Sequence, residues 1–213
     1  MSNPEIDLYT WSTPNGRKVS IMLEEVGLDY RVNEVDITQG QQFGQRFSAI
    51  SPNNKIPAIL DHTTGISLME SGAILLYLAN KTGKLISPMG PRYWREVEWL
   101  MFQMGGVGPM LGQTHHFLKF NPGKSSYAEK RYSTETQRLY KVLNERLKKR
   151  DYLCDEYSIA DIATWPWISR YEWQQIDLKE YPHLLKWYLR IAERPAVQRG
   201  YGVPKPLEIP IPS

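Results

Sequence analysis

The 213-residue chain has one cysteine, Cys154. A lone thiol excludes an intramolecular disulfide and any dithiol mechanism of the protein's own, and it suits the reducing cytosol. Long apolar runs are missing as well. There is no stretch of about eighteen apolar residues and no charged-then-apolar leader, so no membrane span or signal peptide is expected. Neither sign of charge dominates: 26 Lys and Arg against 23 Asp and Glu leave a net charge of +3. That is too balanced for a nucleic-acid or membrane-surface binder. No P-loop and no dinucleotide-binding GxGxxG is present, and Gly105-Gly106-Val107-Gly108 follows a helical stretch and precedes Pro109, the wrong setting for phosphate. The adjacent His115 and His116 face different ways on a helix and have no further Cys or His nearby, so no metal is expected. What remains is 41% apolar and 23% charged, the composition of an ordinary globular protein, with length enough for one large or two small domains.

The first eighty residues alternate between strand and helix patterns. Ile6 to Thr10 is a short apolar run. Thr13-Pro14 opens a helix, Thr13 as cap and Pro14 at its first position. Val19, Met22, Leu23 and Val26 share a face of that helix, and Gly27 ends it. A strand over residues 30–35, a short helix over 43–50 and two strands, 56–60 and 66–68, about a Thr63-Thr64-Gly65 turn follow. Residues 70–81 form a helix that is apolar nearly all round, the mark of burial. Gly83, Pro88, Gly90 and Pro91 then give linker composition. Beyond it only helices are expected: 92–104, kinked or broken by Gly105 to Pro109; 127–150; one opened by the capping-box-like Ser158-Ile-Ala-Asp161 and carrying Trp165, Pro166 and Trp167; and a last one over 184–191, closed by Arg194-Pro195. The tail from Val203 is rich in proline and extended. An α/β domain precedes an all-α domain.

Three groups of residues can carry chemistry. Ile56-Pro57 opens a strand where proline cannot donate a ladder bond; it is either an edge-strand proline or, if cis, a turn that points backbone polar groups at a ligand. Glu70-Ser71 begins a helix, whose free N–H groups and partial positive charge favour a carboxylate while Glu70 could hold an ammonium; the alternative is a plain helix start. Thr13-Pro14-Asn15, with Ser12 beside it, gathers hydroxyl, amide and N–H groups that would stabilise a thiolate, or it is only a capped helix. Arg131 and Arg138, seven apart on the long helix, share a face that is either solvated or turned to a ligand carboxylate.

Taken in order, Thr13-Pro-Asn-Gly16, Ser51-Pro-Asn-Asn-Lys-Ile-Pro57, Glu70-Ser-Gly-Ala-Ile-Leu-Leu-Tyr77, Gly108-Pro-Met-Leu-Gly-Gln113, Thr134-Glu-Thr-Gln-Arg-Leu-Tyr140 and Tyr157-Ser-Ile-Ala-Asp161 resemble the glutathione transferase superfamily. The likeness covers nearly the whole chain and is greatest to the Nu class and the related yeast nitrogen-regulator group. It implies a thioredoxin-like α/β domain (βαβ-ββα) over 1–83, a linker over 84–90, an all-helical domain over 91–202 and a tail over 203–213. It also implies a cytoplasmic homodimer that binds glutathione, γ-Glu-Cys-Gly, without a metal or nucleotide.

By this resemblance Ile56, beside cis-Pro57, pairs its backbone with the cysteinyl part. Glu70 and Ser71 hold the γ-glutamyl end, Gln42 and Lys55 lie near the glycine end, and Arg131 reaches the peptide. Asn15 and Thr13 lie near the sulfur, ahead of Ser12 and Tyr9. Many transferases use a tyrosine at the end of the first strand, but the Nu pattern does not use Tyr9 in this way. Ser158 and Asp161 match a structural capping motif. The activity implied is glutathione-dependent reduction of small disulfides, because a protein without a dithiol must borrow glutathione's thiols. Two alternatives are a conventional transferase acting on electrophiles in an aromatic pocket that includes Trp11 and Phe117, with weak peroxidase activity, and a non-catalytic glutathione-binding regulator. Nothing in the first six residues suggests the Asn- and Gln-rich extension of the yeast regulator.

Overall fold

The computed structural model describes residues 4–212. They divide into two compact units, residues 4–86 with 194–208, and 87–193 with 209–212.

In the first unit, strands β1 (Ile6–Thr10), β2 (Tyr30–Glu34), β3 (Ala58–Asp61) and β4 (Ser67–Met69) form one sheet in the order β2-β1-β3-β4. β2 is parallel to β1, while β3 is antiparallel to both β1 and β4. Helix α1 (Pro14–Val26) makes the parallel crossover that this pairing requires. A short helix, α2 (Gln45–Ile50), packs on β3 and β4, and α3 (Ser71–Thr82) packs against α1. Every residue of β1 is buried, as expected of a central strand covered on both faces. Asp61 fixes α3 to the sheet: its carboxylate accepts from Tyr77 Oη at 2.6 Å and pairs with Lys81 Nζ at 2.8 Å.

α1 departs from the one-sided helix its apolar spacing implies. Residues 16–23 are all buried, because β1, α3 and a further helix from the C-terminal end, α9 (Pro195–Tyr201), pack around it. Sequence patterning gives no helix after 191. α9 forms against α1 through Gly200, where an added Cβ would lie 2.6 Å from the Ile21 backbone. Ser20 Oγ donates to Gly200 O at 2.7 Å, and Arg17 Nε donates to Tyr201 O at 3.0 Å. These contacts group residues 194–208 with the first unit, whereas the sequence expectation ran the helical domain on to 202.

The second unit is helical: α4 (Pro91–Phe102), α5 (Gly108–Thr114), α6 (Ser126–Leu147), α7 (Ile159–Ile168) and α8 (Pro182–Ala192). The expected break at Gly105 to Pro109 does not occur. Helical backbone runs on through π turns at Gln103–Val107 and His115–Phe120; a widened turn absorbs the proline that an α-turn could not. Leu100, Val107, Leu111, Leu139, Trp165 and Trp187 are buried within this unit. None of the helices among the described residues is long and apolar enough to cross a membrane.

Candidate functional site

Strand register brings the first unit's candidate residues to one end of the sheet. Tyr9 lies opposite Ala58, and Ala58 opposite Met69. The chain leaving β1 at Trp11, the chain entering β3 at Ile56-Pro57 and the start of α3 at Glu70-Ser71 are therefore neighbours. β2, parallel to β1, ends at the same place, with Glu34 opposite Thr10, and its connection to α2 carries Gln42. This is the carboxyl end of the parallel strand pair, where α/β sheets place their ligands.

At the β1–α1 junction Thr13 caps α1. Its Oγ1 accepts from Gly16 N–H at 3.1 Å and its own N–H donates to Trp11 O at 2.7 Å. The Thr13 hydroxyl hydrogen can then be donated to an anion. Asn15 is half-buried in the first turn. Ser12 Oγ is buried with no hydrogen-bond partner among the described residues, an arrangement native structures rarely leave without a use. Lys205 Nζ stands 4.1 Å over the Trp11 ring.

Before β3, Ser51 Oγ donates to Lys55 O at 2.9 Å and Asn54 takes a left-handed φ of 54°. The peptide between Ile56 and Pro57 is cis. Among the described residues nothing pairs with the Ile56 backbone N–H or C=O. Gln42 Oε1 is likewise buried without a partner among them, and Lys55 is exposed.

Glu70 is the outlier of the site. It stands at the cap position of α3 with φ 69° and ψ 112°, and its side chain makes no capping bond. A non-glycine residue held there costs about 1–3 kcal/mol, so the plain helix-start reading, in which the acid helps the helix, does not describe it. Ser71 is buried, and its Oγ accepts from Lys18 Nζ at 3.2 Å. Lys18 had no signal in the sequence, where a helical lysine reads as solvated. Burial pushes its ammonium down to about 7, against the opposing pull of Glu70.

Tyr9 packs with Val35, Phe47 and Ala58 in a hydrophobic cluster, its ring 6.2 Å from that of Phe47. In the second unit Arg131 lines, with Met110, Tyr127, Tyr132 and Glu135, a cavity of about 600 Å³, and Phe117 stacks on Tyr132 at 5.6 Å. His115 is buried against Trp167 with Gln174 Nε2 at 3.0 Å from its ring nitrogen, and burial pushes its imidazole down to about 4. Cys154 is buried, and burial, with Asp161 close by, pushes its thiol up to about 12. It remains a thiol at neutral pH and is no nucleophile.

A thioredoxin-like sheet whose strand ends gather a helix cap, a cis-proline turn and a strained acidic residue, followed by a helical unit, defines the class. The chain belongs to the glutathione S-transferase family: residues 4–80 match the family's N-terminal domain and residues 107–195 its C-terminal domain. It is 53% identical over 197 residues to the disulfide-bond oxidoreductase YfcG of Escherichia coli K12, covering 90% of this chain and 92% of that one. It is similar to the crystal structure of a glutathione transferase from Pseudomonas putida with one glutathione disulfide bound per subunit. The TM-score there is 0.90 at 43% identity, over 96% of this chain and 94% of that one. A glutathione transferase family member from Pseudomonas fluorescens with two glutathione bound matches with a TM-score of 0.89 at 41% identity, over 96% of both chains.

Proposed function

We propose that this protein is a glutathione-dependent disulfide-bond oxidoreductase. The observation that carries the reading is Glu70, held at positive φ with a side chain that makes no capping bond to its helix. It lies near the Ile56 backbone, which pairs with nothing among the described residues, and the start of α3, an acid, a peptide-pairing edge and a carboxylate-binding helix end in one place. Glu70 and Ser71 take the ammonium and carboxylate of the γ-glutamyl group. Ile56, at cis-Pro57, pairs with the cysteinyl backbone, and Gln42 and Lys55 serve the glycine end. Arg131 carries over from the family resemblance alone as a contact to the peptide.

Thr13 and Asn15 stabilise the glutathione thiolate. That thiolate attacks one sulfur of a disulfide RS–SR′, forming GS–SR and releasing R′S⁻. A second glutathione thiolate then attacks the glutathione sulfur of GS–SR, giving glutathione disulfide and RS⁻. Two glutathione thiols are oxidised and one disulfide is reduced. The protein's own thiol takes no part, in keeping with the burial of Cys154. The name of the Escherichia coli relative and the glutathione disulfide held by the Pseudomonas putida structure support a disulfide-exchange reading.

The same reading makes the protein a Nu-class homodimer of the cytoplasm. In support of the dimer, Trp94 and Met101, seven apart on α4, are 60% and 49% exposed, an apolar stripe that a second copy would cover.

Two variants test the site. Asn15→Ala is expected to slow glutathione-dependent reduction of a small disulfide roughly ten- to hundred-fold, the worth of one hydrogen bond to an anion. An unchanged rate removes Asn15 from the chemistry. Glu70→Ala is expected to raise KM for glutathione at least about ten-fold while changing kcat less; unchanged glutathione affinity would make the γ-glutamyl assignment wrong.

A further inference from the structure

Tyr9 has no role in the glutathione chemistry above. It is 6% exposed, and its hydroxyl makes no hydrogen bond among the described residues. A buried phenol normally finds a partner. A phenylalanine would pack equally well against Val35, Phe47 and Ala58, so the apolar cluster does not account for the hydroxyl.

Tyr9 lines a cavity of about 450 Å³ within the first unit, together with Asn33, Val35, Gln41, Arg46 and Phe47. Register places Tyr9 opposite Asn33, so the two share the face of the sheet on which α2 sets Phe47 against Tyr9. Val32 and Glu34 border the cavity as well. Alternation sends their side chains to the other face, with Leu8 and Thr10, so what they bring to the cavity is backbone. β2 is the outer strand of the sheet. Its far edge has no strand partner among the described residues, which leaves N–H and C=O groups open there. Gln41 Oε1 accepts from Asp36 N–H at 2.9 Å, and its NH₂ group is left to donate. Arg46 is exposed and enters no ion pair or hydrogen bond among the described residues.

We propose that this cavity binds the C-terminal residue of an extended peptide, one with a large apolar side chain. The peptide backbone adds to the free edge of β2, the side chain lies on Val35 and Phe47, and the terminal carboxylate accepts from Arg46 and from the Tyr9 hydroxyl. The inference is independent of the glutathione reading. A strand edge supplies backbone pairing, and a pocket beside it selects the side chain. The guanidinium fork matches a carboxylate. A neutral ligand would leave Arg46 unused, and a small anion without a peptide backbone would leave the β2 edge unused. The cavity has the size of a small-ligand site, enough for one aromatic side chain.

The test is calorimetric titration with acetyl-Gly-Gly-Phe, with its C-terminal amide as the neutral control, in saturating S-methylglutathione so that the glutathione site is not available to the probe. The acid is expected to bind wild type with a Kd of about 1 mM or tighter, and the amide roughly ten-fold more weakly. Arg46→Gln is expected to weaken the acid roughly ten-fold and to bring acid and amide together. Tyr9→Phe, which keeps the apolar packing, is expected to weaken the acid about three- to ten-fold. The same peptide methylated at every amide nitrogen is expected to lose at least about ten-fold, because it cannot donate to the β2 carbonyls. Equal binding of acid and amide by wild type, or wild-type affinity for the acid in both variants, overturns the carboxylate site. A methylated peptide that binds as well as its parent overturns the pairing with β2. No binding of the acid up to about 10 mM overturns the proposal as a whole.

Discussion

Replacing Asp161 with asparagine is expected to lower stability by roughly 2–4 kcal/mol, although the side chains match in shape. Both carboxylate oxygens accept. Oδ1 takes Leu153 N–H and Trp187 Nε1–H, each at 2.8 Å, and Oδ2 takes Ser158 N–H at 3.0 Å and the Ser158 hydroxyl at 3.3 Å. An amide has one oxygen, so either orientation turns an NH₂ group against a buried backbone N–H. Asp161→Ala loses all four bonds and is expected to be worse, at about 3–5 kcal/mol. Urea denaturation of the three proteins at one pH gives the order. A variant within about 0.5 kcal/mol of wild type would mean that the capping network is dispensable.

The pH dependence provides a second check. Burial pushes Asp161 up to about 6, with the hydrogen bonds from Leu153, Trp187 and Ser158 opposing. A carboxyl in the unfolded chain titrates near about 3.9. The raised folded value contributes stability that is fully present below the unfolded pKa and is lost as pH rises through about 6. An asparagine side chain cannot titrate, so the gap between wild type and Asp161→Asn should differ between about pH 7 and about pH 4, narrowest where ionised Asp161 is most penalised. A gap that does not move with pH would contradict the buried, titrating carboxyl.

The parts of this protein legible in its sequence are those governed by local rules. Thr13 and Pro14 announce the start of α1, and Ser158 with Asp161 announces α7, because capping needs only residues three apart. The Asp161 bonds to Leu153 and Trp187 were not visible, since they depend on α8 and a loop folding back. α9 was missed for a related reason. Seven residues with Ala196, Val197 and Tyr201 show no sustained period, and the helix exists because α1 offers Ser20, Ile21 and Arg17 almost the whole chain length away. That packing also turned α1 from a helix with one buried face into one buried along most of its length, and it hid Lys18. Among the candidate site residues, order and spacing singled out Ile56-Pro57 and Glu70-Ser71, and strand register places the two segments as neighbours. The positive φ of Glu70 has no sequence signal, because glutamate is not a residue that left-handed backbone selects.

Gly16→Ala is expected to damage both the fold and the chemistry. No positive φ is involved. An added Cβ would lie 2.3 Å from Trp11 O and 2.5 Å from Thr10 Oγ1, closer than any real contact, and one of these atoms is backbone. The β1–α1 junction must open, and with it go the Thr13 cap and the position of Asn15. Overpacking of this kind costs about 1–3 kcal/mol where side chains can yield, and a fixed carbonyl puts this site at about 3 kcal/mol or above. Gly27→Ala is the matched control. Gly27 has a left-handed φ of 75° but open space around its Cβ position, so alanine there should cost only about 1–2 kcal/mol of backbone strain and leave glutathione-dependent reduction intact. Denaturation curves and reduction assays on both variants separate the two causes. If Gly16→Ala loses stability but, once folded, reduces disulfides at the wild-type rate, the helix start is scaffold and the sulfur is activated elsewhere. If it loses both while Gly27→Ala loses only stability, the close approach of α1 to the end of β1 is what holds Thr13 and Asn15 against the thiolate.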